Sequence, residues 1–194
     1  MKAVLQRVKS ASVTVDGQQI SSIGRGLLVL AGVGKEDTEK DMDTMVGRIL
    51  RAKLWPADED GGQWKKNVQD IEGEVLCVSQ FTLYGDMKKA KPNFNGAADV
   101  ETARRLYDYF FQKMRAAYKP ERVQNGVFQA MMDVDLRNDG PVGVNYRSHD
   151  AAVTIEISTK LPPSEEKEKK KESDESTEGE KKSYEFKLPA SLLE

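Results

Sequence analysis

The run LLVLAGV, residues 27–33, decides the fold class. It is apolar throughout and short, with Gly24-Arg25-Gly26 breaking the chain just before it. A continuous apolar run of this length predicts a central strand buried on both faces. A helix is predicted next. Thr38 and Asp41 have the spacing of a capping box, with Asp in place of the usual Glu. Met42, Met45, Val46, Ile49 and Leu50 then fall on one helical face. Pro56 and Gly61-Gly62 mark a loop, and residues 74–83, EVLCVSQFTL, read as a further strand. Strand, helix, strand is the βαβ unit, and it places the chain among the α/β folds.

Working outward, residues 2–8 and 12–15 alternate apolar with polar, as half-buried strands do. Asp16-Gly17 between Val15 and Ile20 predicts a two-residue hairpin. A polar loop spans Gly85 to Gly96. Residues 97–118 predict a second helix with Val100, Ala103, Tyr107, Phe110 and Met114 on one face, ended by Pro120. A turn at Asn125-Gly126, a strand at 127–136, a turn at 138–141 and a last strand at 152–158 complete the pattern. The expectation is a mixed α/β domain over residues 1–160, with mixed β-sheets and two main helices packed on one side.

The chain has 194 residues, 38% of them hydrophobic and 32% charged, with a formal net charge of −2. Residues 164–183 distort that average, because they hold eight acids, six bases and no hydrophobic residue. Such a stretch buries no apolar area to offset its chain entropy, so a disordered tail is expected over 161–194. Its end, YEFKLPASLL at 184–193, is either a loose terminus or a short docking motif on a tether.

Several function classes fall away. No apolar run approaches the roughly 20 residues that span a bilayer, and the N-terminus lacks the apolar stretch of a signal peptide. One cysteine, Cys77, excludes a disulfide framework. With His149 as the one histidine, a zinc site of the usual ligands is excluded too. Near-zero net charge argues against a broadly basic nucleic-acid binder, though a local basic groove stays open.

Two segments concentrate chemistry. Val78-Ser79-Gln80-Phe81-Thr82-Leu83 ends an apolar strand with a cluster of donors and acceptors, where α/β folds place sites. Taken alone it also fits an edge strand with polar residues turned outward. Asn138-Asp139-Gly140-Pro141-Val142 is a plain turn or a special backbone geometry around a Gly-Pro bond. Lys88, Lys89 and Lys91 are a solvated loop or phosphate contacts. Cys77 is expected to be a small buried hydrophobe and His149 to sit in an exposed loop.

Together these segments resemble the D-aminoacyl-tRNA deacylases of the D-tyrosyl-tRNA deacylase type. The likeness runs from MKAVLQRVKSASVTVDG and ISSIGRGLLVLAGV through LCVSQFTLYGD, KPNF and GVFQAMMDVDL to NDGPV, covering about residues 1–158. The resemblance implies a three-layer α/β/β domain, homodimeric, with each active site at the dimer interface. It implies hydrolysis of the ester joining a D-amino acid, or glycine, to the 3′-terminal adenosine of tRNA, with no cofactor or metal, in the cytoplasm and away from membranes. Gly140-Pro141 would carry a cis bond and enter the partner's site, where its carbonyls exclude an L side chain. Ser79, Gln80, Phe81 and Thr82 would belong to the site wall, and Ala130 and Met132 would line the pocket of the adenosine end. Backbone N–H groups around Phe81 and Thr82 would stabilise the oxyanion. The motif holds no histidine or carboxylate base, so the substrate's 2′-hydroxyl would activate the water. Thr82 would then position rather than attack.

The sequence departs from the family at three places. Deleting 143–153 gives GPV-TIEIS, the family pattern, so that segment reads as an insertion and Thr154 as the family threonine. It is a real loop or a translated stretch of gene model. Gln129 stands where the family has glycine. The loop Lys88-Lys89-Ala90-Lys91-Pro92-Asn93-Phe94 is a variant of the family's basic-Pro-x-Phe pattern, and the charged tail is an extension that compact members lack. Two other functions therefore stay open: an impaired relative that binds tRNA ends without turnover, and a dimeric scaffold acting through its tail.

Overall fold

The computed structural model describes residues 1–57, 62, 64–87, 90–139 and 153–160. Gly140, Pro141, His149, residues 143–152 of the expected insertion, Lys88, Lys89 and the charged tail lie outside them. Within residues 1–160 the fold is organised by one long strand, β1 (Lys2–Val15). The two half-strands expected at its ends are one element. Its alternation slips in the middle, where Arg7 and Val8 are both buried and the register against a neighbour shifts between Val8 and Ser10. An irregularity of that kind bends a strand and turns its two halves toward different faces.

Six further strands build on β1. The Asp16-Gly17 hairpin forms as expected, with φ of 50° and 76° as a tight two-residue turn requires, and it returns the chain into β2 (Gln18–Ile23). β3 (Gly26–Gly32) runs antiparallel to the first half of β1. β4 (Glu74–Ser79) lies parallel to β3, and β5 (Val123–Asn125) parallel to β4. β6 (Asp133–Asn138) and β7 (Thr154–Ser158) both run antiparallel to β1, end to end along its other edge. All seven therefore belong to a single hydrogen-bonded sheet.

Helices α1 (Glu39–Arg51) and α2 (Val100–Ala117) are the crossovers of β3–β4 and β4–β5. The capping box at the start of α1 forms, with the Thr38 backbone N–H donating to the Asp41 carboxylate at 2.9 Å. Met42, Met45, Val46, Ile49 and Leu50 are its buried face. α2 starts three residues later than its sequence pattern, because Asp99 caps it by accepting from the Thr102 N–H at 3.0 Å. Val100 is consequently 56% exposed, and Leu106 joins Tyr107, Phe110 and Met114 on the buried face.

Both helices pack on one face of the sheet, against Leu27, Val29, Ala31, Val75 and Cys77. The opposite face, with Leu28, Leu76 and Val78, is covered by Val8, Ala11 and Val13 of the second half of β1 and by Ile23 of β2. The bend in β1 thus folds the sheet over itself. Two strands fall short of their expected ranges. The one expected over 74–83 stops at Ser79, and the one expected over 127–136 starts at Asp133. In both cases the chain leaves the sheet to form a wall of the site.

Among the described residues two charged side chains are buried. Arg7, 2% exposed, donates to the Leu54 carbonyl at 2.6 Å and pairs with Asp139 at 3.1 Å. Asp37 pairs with the Met1 ammonium at 2.7 Å, both side chains fully buried, and accepts from the Gly34 N–H at 2.6 Å. Replacing one partner of a buried pair leaves the other without its counter-charge. Asp37→Asn is expected to lower unfolding stability by about 3–5 kcal/mol in urea titration, and a loss under about 1 kcal/mol would show that water screens the pair.

Burial pushes the Cys77 thiol up to about 12. The native thiol is therefore expected to resist alkylation by iodoacetamide at pH 8 and to react once urea unfolds the chain. The folded value lies above the unfolded one, so this contribution to stability is complete below about pH 8.5 and is lost as pH rises beyond it. Labelling of the native protein at the rate of a free thiol would contradict this burial.

Candidate active site

Parallel strands of an α/β sheet place ligands beyond their carboxyl ends. β3 and β4 end side by side, with Ala31 opposite Ser79, and the Gln80 N–H extends the ladder by donating to the Ala31 carbonyl at 2.8 Å. The chain then turns out of the sheet in a single 3-10 turn, Phe81–Tyr84. The strand-edge reading of Ser-Gln-Phe-Thr therefore fails beyond Ser79.

The turn is fixed from below by missing side chains. A Cβ at Gly32 would lie 2.8 Å from the Gln80 carbonyl oxygen, and one at Gly34 would lie 2.6 Å from the Tyr84 ring. With glycine at both positions the ring seats against β3, and the Tyr84 hydroxyl donates to Asp37 at 3.1 Å. Burial and that carboxylate push the Tyr84 phenol well above its ordinary range, so it stays a donor. Lys2 adds a contact, donating to the Leu83 carbonyl at 3.3 Å.

The leading N–H groups of a helical turn have no partner inside it. Among the described residues no acceptor takes the backbone N–H of Phe81 or Thr82. The Gln80 side-chain amide donates to the Thr82 hydroxyl oxygen. That hydroxyl is thus held by an amide donor, and among the described residues no carboxylate or imidazole hydrogen-bonds to it. The Phe81 ring is 59% exposed and meets Phe94 edge-on, with centroids 5.1 Å apart.

Residues 127–132 form the opposite wall. They are anchored where the Gly126 N–H donates to the Cys77 carbonyl at 2.8 Å and where the Met132 sulfur accepts from the Val127 N–H at 3.3 Å. Gln129 has φ of 66°. This left-handed conformation costs an L side chain roughly 1–2 kcal/mol and glycine almost nothing, which is the physical reason glycine suits the position. The Gln129 side chain is not loose, because its oxygen accepts from Arg104 at 2.7 Å. Behind this wall, the buried Tyr107 hydroxyl donates to Asn125 at 2.7 Å. Burial, then Cys77 and Asp108, hold the Tyr107 phenol well above its usual range.

These walls enclose a cavity of about 630 Å³, in the size range of small-ligand sites. Ser79, Gln80, Phe81, Ala130 and Met132 all line it, so five of the eight residues singled out in the sequence come together. Thr82 does not line it and is held behind Gln80. Gly140 and Pro141 lie outside the described residues. The sequence reading missed Ala31 of β3, Val33 just beyond it, Ala97 and Ala98 ahead of α2, and Ala103, Tyr107 and Phe128. Their one legible signal was the small residues Ala97, Ala98 and Ala103 around the start of a helix, which leave space where larger side chains would fill it. No carboxylate, histidine or lysine is among the described residues that line the cavity, and no cluster of metal-ligating residues occurs among the described residues.

Comparisons with known proteins show what the chain is similar to. The family model described as D-Tyr-tRNA(Tyr) deacylase matches residues 4–147. A D-aminoacyl-tRNA deacylase of Yarrowia lipolytica is 52% identical over 148 residues, covering 75% of this chain and 96% of that protein. D-aminoacyl-tRNA deacylase 1 of Homo sapiens is 44% identical over 172 residues, covering 89% of this chain and 82% of the other. A solved structure titled c-Myc DNA Unwinding Element Binding Protein superposes with a TM-score of 0.73 at 46% identity, covering 84% of this chain and 99% of that one. That of a probable eukaryotic D-amino acid tRNA deacylase shares the fold, with a TM-score of 0.64 at 16% identity over 80% of this chain and 98% of the other. With the family model spanning most of the domain and close relatives matched along nearly their whole length, the chain belongs to the D-Tyr-tRNA(Tyr) deacylase family.

Proposed function

We propose that the cavity takes the aminoacyl-adenosine end of tRNA and that the chain hydrolyses D-aminoacyl-tRNA to free D-amino acid and tRNA, a proofreading reaction of translation. The observation that carries the reading is the cavity itself. It is uncharged, with two unpartnered backbone N–H groups on the adjoining turn, in a member of the deacylase family. An aminoacyl ester is already activated, so fixed donors aimed at the developing oxyanion supply much of what it needs.

In this mechanism the water oxygen attacks the ester carbonyl, and the N–H groups of Phe81 and Thr82 take the oxyanion. Collapse breaks the bond to the ribose oxygen, which leaves with a proton. The substrate's own 2′-hydroxyl handles the proton of the water. Thr82 positions the turn through its hydrogen bond with Gln80. Ser79, Gln80 and Phe81 form one wall, while Ala130 and Met132 receive the adenosine.

We further propose a homodimer in which Gly140-Pro141 of each copy enters the other's cavity and excludes an L side chain, while glycine is accepted. Around the mouth, Phe81, Val100 and Met131 are 59%, 56% and 89% exposed. Apolar side chains gathered at one opening suit a face that a second copy covers. The cytoplasm, where aminoacyl-tRNA is used, is the proposed location; no helix among the described residues is long and apolar enough to cross a membrane.

Residues 143–153 are proposed as an insertion that the sheet tolerates. The Asp139 N–H donates to the Arg7 carbonyl and the Arg7 N–H to the Val153 carbonyl, each at 3.0 Å. The chain therefore leaves and rejoins the sheet at one residue of β1, and the length between does not disturb the register. The family match ends at residue 147, ahead of β7. A second reading, binding of nucleic-acid ends without turnover, takes its support from Gln129 at the cavity and from the name of the 46%-identical relative.

Two measurements decide between these readings. D-Tyr-tRNA and L-Tyr-tRNA are incubated with the full chain and with a form lacking residues 143–153. Cleavage of the D substrate alone by the full chain is expected. Activity in the shortened form alone would make the segment a block on the site, and binding without cleavage by both forms would favour the second reading. Thr82→Val keeps the backbone N–H and removes the hydroxyl. A fall in kcat of less than about tenfold is expected for the loss of one hydrogen bond, whereas a loss on the order of 10⁴ would make Thr82 the nucleophile.

A further inference from the structure

The described residues that line the cavity carry no charge, yet its proposed substrate is a polyanion. A nucleotide chain ending in that cavity carries its last phosphate just outside it, so a cation is needed at the rim rather than within. α2 supplies one. Arg104 is exposed, its guanidinium lies 4.7 Å from the centre of the Phe128 ring, and it donates to the Gln129 oxygen at 2.7 Å. Phe128 and Gln129 both line the cavity, so Arg104 is held against the outside of its wall.

Of the other cations of α2 and its surroundings, Arg115 stacks on the Phe111 ring and three pair with carboxylates. Arg105 pairs with Glu39 at 3.2 Å, Lys113 with Asp43 at 3.3 Å and Lys119 with Glu72 at 2.8 Å. Among the described residues no carboxylate pairs with Arg104. One of its five N–H donors goes to Gln129, and the planar fork keeps the remainder for an acceptor of matching geometry. Phosphate is such an acceptor.

Gln129 gains a purpose in this arrangement. It holds a left-handed backbone conformation where glycine would be unstrained, and its side chain makes one polar contact, the one that orients Arg104. We infer that Arg104, oriented by Phe128 and Gln129, binds the phosphodiester on the 5′ side of the terminal adenosine, with Gln129 a positioning residue for it. The inference rests on the deacylase reading and adds to it a subsite outside the reacting centre.

The test compares two esters on the intact protein. D-Tyr-tRNA carries the phosphate, and 2′(3′)-O-D-tyrosyl-adenosine lacks it. Arg104→Ala is expected to lower the ratio of kcat/KM for the tRNA to that for the adenosine ester about tenfold, chiefly through KM of the tRNA. It should also flatten the dependence of log KM on log salt by about 0.7, the release expected for one phosphate of a single strand. Arg104→Lys keeps the charge without the fork and should fall between. Gln129→Gly removes the backbone strain, so its Tm should hold or rise while the same ratio drops several-fold, a split that a purely structural role does not give. An unchanged ratio in Arg104→Ala, through equal losses on both esters or loss on neither, overturns the inference. A wild-type protein that cleaves neither ester fails the deacylase reading itself, and the subsite falls with it.

Discussion

The fold depends on a slip of one residue in the alternation of β1. Through Leu5 the strand sends every second side chain toward the helices; after Arg7 and Val8 it sends Ala11 and Val13 to the opposite face. Because side chains in a strand alternate strictly, one such slip reverses which face is apolar. Four neighbours share the two edges of this strand. β2 and β3 divide one edge, and β6 and β7 divide the other. At the slip, Arg7 spans the gap between β6 and β7 with its backbone and fills the space below with its guanidinium, tied to Leu54 and Asp139. A long cationic side chain with fixed donors satisfies three carbonyl or carboxylate groups there, which an apolar residue of equal size would leave unpaired.

Much of this was legible in the residues. The apolar run 27–33 reads as a doubly buried strand, and β3 is covered on both faces. The capping box, the Asp-Gly hairpin and the helical face of α1 also formed as their local chemistry required, because each is settled within a few residues. What failed was the extent of strands, at 80–83 and 127–132. Both stretches are apolar enough to continue a strand, and β-propensity reports a half-buried environment rather than backbone pairing. Where they leave the sheet is set by tertiary contacts: the Tyr84 ring against Gly34, and the Gly126 N–H on the Cys77 carbonyl. Neither contact has a signature in the sequence, because each joins residues distant along the chain.

The candidate site was legible to the extent that it is backbone chemistry placed by a motif. Ser79 and Gln80 stood out because polar residues at the end of an apolar strand are out of place in a core, and with Phe81 they were assigned to a site wall through the family resemblance. The other half was not. Ala97, Ala98 and Ala103 matter by what they lack, and small residues around a helix start are a weak signal that does not say what the space beside them holds. Arg104 reads as one more solvated charge until its neighbours are known, since a charge on a helix face is the ordinary case.

The absence of charge among the described residues that line the cavity has a consequence for how such a site selects. A pocket whose described lining is mostly alanine, valine, methionine and aromatic side chains, with Ser79, Gln80, Gln129 and Tyr107 as its polar ones, offers few handles to distinguish one amino-acid side chain from another. It separates substrates by shape, which demands walls that do not yield. Both walls here are pinned at their bases: the Phe81–Tyr84 turn by glycine-seated Tyr84 and the buried Asp37, the 127–132 stretch by Cys77 and Met132. Affinity must then come from outside the reacting centre, where a nucleotide chain carries its charge. Under the proposed function, binding energy realised on the invariant nucleotide part of the substrate leaves the variable side chain free of attractive contacts.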